Sequence, residues 1–90
     1  MVDANILTDT KKNLEVISDQ LYKGDIDVGM ANMLTVIPNL SIICASMNEE
    51  QQADFIENVL KPALQSMEDR DGTMLADIIS YEMMDVLNQL

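Results

Sequence analysis

The stretch VGMANMLTVIPNLSIICASMN, residues 28–48, decides the fold, because it holds no charged residue in a chain of 90 whose formal net charge is −11. A helix without charge on any face is normally covered on most of them. An outer helix of a small bundle leaves roughly a third of its surface in water. The run therefore predicts a central helix, an oligomer interface or a partner surface. It contains no group that performs chemistry.

About 20 uncharged residues would also span a bilayer. The content of the run argues against that. Gly29, Asn32, Thr35, Pro38, Asn39, Ser41 and Ser46 interrupt it, and its flanks are acidic (Asp25 and Asp27 before, Glu49 and Glu50 after), with no Lys, Arg or Trp anchors. The opening MVDANILTD shows no basic segment followed by an apolar one, so the expectation is a cytoplasmic protein without a membrane segment.

Working outward from this run, helical periodicity is clear and strand alternation is absent. Upstream, residues 4–22 place Leu7, Thr10, Leu14, Ile17 and Leu21 at three-and-four spacing, a heptad stripe that Lys23-Gly24-Asp25 ends. Gly24 suits the left-handed position after a helix, and Asp25 or Asp27 suits the cap of the next one. The second helix, residues 27–47, carries a seam of Ile26, Met30, Met33, Ile37, Leu40, Cys44 and Met47. Pro38 interrupts its hydrogen bonding and predicts a kink.

Downstream, Asn48 and Gln51 form a capping-box pattern that opens a third helix over residues 49–69. Its inner face reads Ala53, Ile56, Leu60, Ala63, Leu64 and Met67; its outer face reads Glu50, Asp54, Glu57, Lys61, Gln65 and Glu68. Pro62 predicts a second kink. Asp71-Gly72-Thr73 supplies the turn into a fourth helix over residues 73–88, with Leu75, Ile79, Met83, Val86 and Leu90 as its stripe. Short connections make sequence neighbours antiparallel, so the expected fold is all-α: one domain over residues 1–90, a four-helix antiparallel bundle or array.

Composition narrows the function. The chain is 48% hydrophobic, yet Tyr22, Phe55 and Tyr81 are its only aromatics, so Leu, Ile, Val and Met must fill the core. It has 16 acidic and five scattered basic residues, a balance that repels nucleic acid and suits a basic or amphipathic protein partner. There is no His, which removes the usual zinc patterns and the Glu-x-x-His pairs of di-iron bundles. Cys44, the single cysteine, falls on an apolar seam with no base to activate it. The acids Glu49, Glu50, Asp54 and Glu57 read as a solvated face. In Glu68-Asp69-Arg70-Asp71-Gly72 the spacing of a calcium loop would put Met67 at the first ligand position, so a helix cap is the better reading. No catalytic, metal or cofactor site is expected, and the chain is read as non-enzymatic.

Two surfaces remain as candidates. The second face of helix 2, Val28, Asn32, Thr35, Asn39, Ile42, Ile43 and Ser46, mixes neutral polar with β-branched residues, as contacts between subunits do. It is the expected homodimer interface. On the last helix Met74, Ile78, Tyr81 and Met84 lie off the main stripe. Methionine makes adaptable contact surfaces, so this is a candidate partner patch. The leading expectation is a small acidic adaptor or accessory module, homodimeric through helix 2. The alternative is a chaperone-like bundle that holds an amphipathic segment of a secreted or flagellar client on the Met74 patch.

One further resemblance lies in LKPALQSMEDRDGTMLADIISYEM, residues 60–83. Met67, Glu68, Asp71, Leu75, Ala76, Asp77, Ile78, Ile79, Tyr81 and Glu82 resemble the closing segment of small all-helical bacterial proteins of the Firmicutes type, which have no assigned activity. The stretch departs from that pattern at Ser80, where an acid is usual, and the first 50 residues do not share it. What the resemblance implies is a bacterial cytosolic helical protein.

Overall fold

Short polar motifs set where each helix starts and stops. In the computed structural model, which describes residues 3–90, Asp3 caps α1 (Ala4–Tyr22) by accepting from the Asn5 N–H at 2.7 Å. Gly24, at φ +90°, ends it in the left-handed conformation that glycine adopts without a Cβ penalty, and Asp25 N–H closes the turn on the Gln20 carbonyl at 2.9 Å. Asp25 then occupies the cap position of α2 (Ile26–Ala45) without a side-chain capping bond. The capping box is present at the next start: Gln51 N–H donates to Asn48 Oδ1 at 2.8 Å, and Asn48 N–H to Gln51 Oε1 at 3.3 Å. It opens α3, residues 49–68. Asp71 caps α4, residues 72–88, by accepting from Met74 N–H at 3.0 Å. These four helices and no strand make up the described residues, an all-α array.

Packing follows the order α2, α1, α4, α3. From α1, Leu14, Ile17 and Leu21 enter the core, where α2 contributes Met30, Met33, Val36, Leu40 and Ile43. Each side chain of this kind contributes about 1.5–3 kcal/mol when fully buried. The ends of three helices converge on Leu21. A Cβ on Gly29 would press into the Leu21 side chain, and one on Gly72 would run into Ile26 and touch Leu21. Glycine at both positions lets these side chains rest against the backbones of α2 and α4 without being displaced. In contrast, α3 lies against α4 and approaches α2 mainly near the connecting turn.

Three expectations about helix faces need correction. In α2 the buried side is broader than one seam, because Gly29, Val36 and Ile43 join it; Ile43 is 0% exposed and belongs to the core, not to an outer face. In α3 the core takes Phe55, Val59, Ala63 and Ser66, whereas Ala53, Ile56 and Leu64 are exposed and Leu60 and Met67 half-buried. This helix carries two apolar rows one residue apart, and the row with the aromatic ring fills the core. In α4, Leu87 is buried while Val86 is half-buried and Leu90 exposed. The cause is a π turn over Ile78–Met83, closed by Met84 N–H on the Ile79 carbonyl. It holds one residue more than an α turn and so rotates the tail by one position.

A second π turn, Ile56–Leu60, lies just ahead of Pro62, with Lys61 N–H donating to the Ile56 carbonyl. The wider turn makes room where the proline ring would press on the Asn58 carbonyl. Pro38 sits within α2, which continues through it as one helix. After α3, Arg70 takes the left-handed conformation at φ 53°, and Asp71 N–H reaches the Ser66 carbonyl at 2.8 Å.

One polar atom in the core has no partner among the described residues: the Thr10 hydroxyl, on a residue that is 0% exposed. Replacing it by Thr10→Val should stabilise the protein by about 1–2 kcal/mol, since a buried unpaired hydroxyl is removed at nearly constant shape. Leu75→Ala and Ile79→Ala should each destabilise by about 2–5 kcal/mol, and Asp54→Ala, on the exposed face of α3, by less than about 0.5 kcal/mol. Urea denaturation checks all four. A Thr10→Val loss of stability, or an Asp54 effect above that of Leu75, would contradict the burial pattern.

Candidate functional site

The outward surface of α2 retains the lack of charge read from the sequence. Val28 (51% exposed), Leu34 (65%) and Ile42 (49%) stand in solvent with Ala31, Thr35, Pro38, Ser41 and Ala45. Of the expected interface residues, Val28, Thr35 and Ile42 are exposed, and Asn32, Asn39 and Ser46 are half-buried. Ile43 points inward, as described above. The correction has a simple origin: Ile42 and Ile43 are adjacent, and only one of them can face out.

Several polar groups on this surface are satisfied within the chain. Asn32 Nδ2 donates across to Gln20 Oε1 of α1 at 3.0 Å. The Thr35 hydroxyl donates to the Asn32 carbonyl at 2.7 Å and the Ser46 hydroxyl to the Ile43 carbonyl at 2.6 Å. Such local bonds turn hydroxyl donors back onto the helix and leave methyl and methylene groups outward. The surface is thus more apolar than its composition. Beside it, Val16 of α1 is exposed and lines, with Asn13, Asn32 and Thr35, a depression of about 200 Å³ between α1 and α2. Val16 and Leu34 were missed in the sequence because Val16 lies on α1 and Leu34 falls off the spacing of Val28, Thr35 and Ile42.

On α4 the candidate patch divides. Met74 and Tyr81 are exposed, Tyr81 at 73%, and Met84 is half-buried. Ile78 is 6% exposed and lies in the core beside Ile79, one turn after the buried Leu75. Its place in the patch is taken by Tyr22 at the end of α1, whose phenol donates to Asp77 Oδ1 at 2.6 Å and so ties α1 to α4. That hydrogen bond raises the Tyr22 pKa above its ordinary value of 10.0.

A third feature is a groove between α2 and α3. It encloses about 300 Å³ and is lined by Ser41, Cys44, Ala45, Gln52, Ile56 and Leu60. The Cys44 thiol is nearly buried, and that burial pushes its pKa up, so the neutral thiol prevails. Among the described residues no group of three or more His, Cys, Asp or Glu is placed to hold a metal ion. The exposed acids of α3 are spread along its outer face, where Glu57 pairs with Lys61 at 2.7 Å.

Comparison with family models, with curated proteins and with solved structures found no match to this chain. The functional reading rests on these surfaces.

The Tyr22–Asp77 link has a pH signature. Its phenol is protonated in the hydrogen bond, so the link is intact below pH 10.0 and is lost only as pH rises through the higher folded value. An ultraviolet titration of Tyr81→Phe, which leaves Tyr22 as the only tyrosine, should show ionisation above the ordinary value, and adding Asp77→Asn should lower it. An unchanged midpoint would mean that the hydrogen bond is not held in solution.

Proposed function

We propose that this protein is a small acidic, non-enzymatic interaction module that pairs with a second copy through the outward surface of α2. One observation carries the proposal: Val28, Leu34 and Ile42 stand in solvent on a helix with no charge between residues 28 and 48, in a chain whose other exposed faces carry its acids. Soluble monomers rarely leave such a patch bare. A closed two-fold pair covers it twice with one surface, and the absence of charge lets two strongly acidic chains approach there without like-charge contact. The internally bonded Asn32 and Thr35 reduce the desolvation cost of that contact.

By length and composition Ile26–Ala45 would also cross a membrane. A water-soluble pair is the better reading, because α2 gives Met30, Met33, Val36, Leu40 and Ile43 to the core and its removal would strip the stripe of α1. A cytoplasmic setting is proposed with it. The resemblance of residues 60–83 to small bacterial helical proteins fits this reading without adding an activity. The alternative, a chaperone-like bundle for an amphipathic client, is favoured by a separate observation: Tyr22, Met74 and Tyr81 are exposed together around Asp77.

Sedimentation velocity decides the pair. Wild-type protein at micromolar concentration should run at twice the monomer mass of 10.1 kDa. Ile42→Glu and Thr35→Lys should return it to monomer, while Gln65→Lys, on the outer face of α3, leaves the pair intact. A wild-type chain that remains monomeric to high micromolar concentration would overturn the homodimer and transfer the surface to another partner.

A further inference from the structure

We propose that the groove between α2 and α3 docks a basic amphipathic helix of a partner protein. The groove exists because α3 is held by α4 rather than by α2, its neighbour in sequence. Burying Phe55 and Val59 leaves the second apolar row of α3, Ile56, Leu60 and Leu64, without full cover. These residues recur every fourth position and make one continuous stripe along the helix. Across from them, Ser41 and Ala45 present a small, uncharged wall with Cys44 at its base.

The connecting turn closes the groove on one side. At one end Gln52 Nε2 donates to the carbonyls of Ala45 and Met47, at 3.3 and 3.0 Å, and pins the turn between the helices. Beyond the residues that line the groove, the Arg70 guanidinium pairs with the Asp27 carboxylate, joining the turn after α3 to the start of α2. Between them the stripe from Gln52 to Leu64 spans about 18 Å, or about three turns of helix. A helix that lays an apolar face into such a trough anchors through residues at i, i+3, i+4 and i+7.

Charge selects the occupant. Along α3 the stripe is bordered by Glu49, Glu50 and Glu57, and the one cation on this helix, Lys61, is already paired with Glu57. The α2 wall carries no charge. A partner helix with Lys or Arg along one flank of its apolar stripe complements this asymmetry and is steered by a net charge of −11. A second copy of this chain does not fit. Its five basic residues are dispersed over Lys11, Lys12, Lys23, Lys61 and Arg70, and the apolar stripes of its own helices are largely spent in the core.

Cys44 supplies the readout, since it is the single cysteine and lines the groove. The probe is a synthetic helix of about 14 residues with Leu on an i, i+3, i+4, i+7 face and Lys on one flank. Alkylation of Cys44 by a small maleimide is followed by mass spectrometry. With peptide at about ten times its Kd, Cys44 is free about a tenth of the time and alkylation should slow about tenfold. A peptide with Glu in place of Lys should give no protection. Ile56→Glu should weaken binding about tenfold or more, and Leu64→Glu, at a more exposed site, repeats the test should the first variant fold poorly by circular dichroism. Val28→Glu, in the proposed homodimer surface at the opposite end of α2 from the groove lining, should leave protection unchanged, so the two surfaces fail or succeed separately. Equal protection by a scrambled peptide, or unchanged binding in both Glu variants, would overturn the proposal. Protection that grows with protein concentration alone and vanishes in Ile56→Glu would assign the groove to a second copy instead.

Discussion

Leu21 is the point on which the rest of the structure depends. Its side chain lies where the end of α1 meets the starts of α2 and α4, and both neighbouring helices meet it with a glycine, Gly29 and Gly72. At Gly29 the backbone of α2 presses close to the Leu21 side chain, while at Gly72 the start of α4 presses on Ile26 and rests against Leu21. Because interiors pack at crystal-like density, a methyl group added at either glycine would have to displace Leu21 or Ile26. This junction orders α2, α1 and α4, while α3 enters the array only through its contacts with α4.

Much of the fold was legible because its punctuation is local. The cap at Asn48 with Gln51, the left-handed Gly24 and the stripe of Leu14, Ile17 and Leu21 depend on residues within a few positions of one another, and such signals survive in any tertiary context. The side each helix turns inward was less legible. In α3 two apolar rows compete, and which one fills the core depends on the space between α3 and α4. Ser66 in the core and Leu64 in solvent show that the choice follows shape, not hydropathy alone. In α4 the misreading of Val86 and Leu90 comes from a turn with one extra residue, for which no sequence pattern was available. The candidate surfaces followed the same rule: the uncharged character of α2 is a property of composition and was readable, whereas the assignment of Ile43 and Ile78 to outer faces required the angle of each helix about its axis.

Charge and apolar surface are divided in this molecule. Acids cover the outer faces of α3 and α4, α2 shows none over most of its length, and the groove lies along the boundary. A protein so arranged is soluble by virtue of one side and sticky by virtue of the other. The proposed homodimer and the proposed docked helix use adjoining parts of α2, since Ser41 and Ala45 border both the outward surface and the groove.

The π turns of α3 and α4 bear on how such a chain changes over generations. Each is a helix that has accepted one residue more than an α turn holds and has closed its hydrogen bonds around the surplus. Length variation is usually confined to loops, since an insertion inside a helix rotates everything after it by about 100°. Here the surplus is absorbed within a turn, and Leu87 rather than Val86 reaches the core as a result. Loss of a single residue between Ile79 and Met83 would restore a plain α-helix and leave Leu87 facing the core. The interior of α4 is thus a place where the chain can differ in length by one residue while keeping the helix whole.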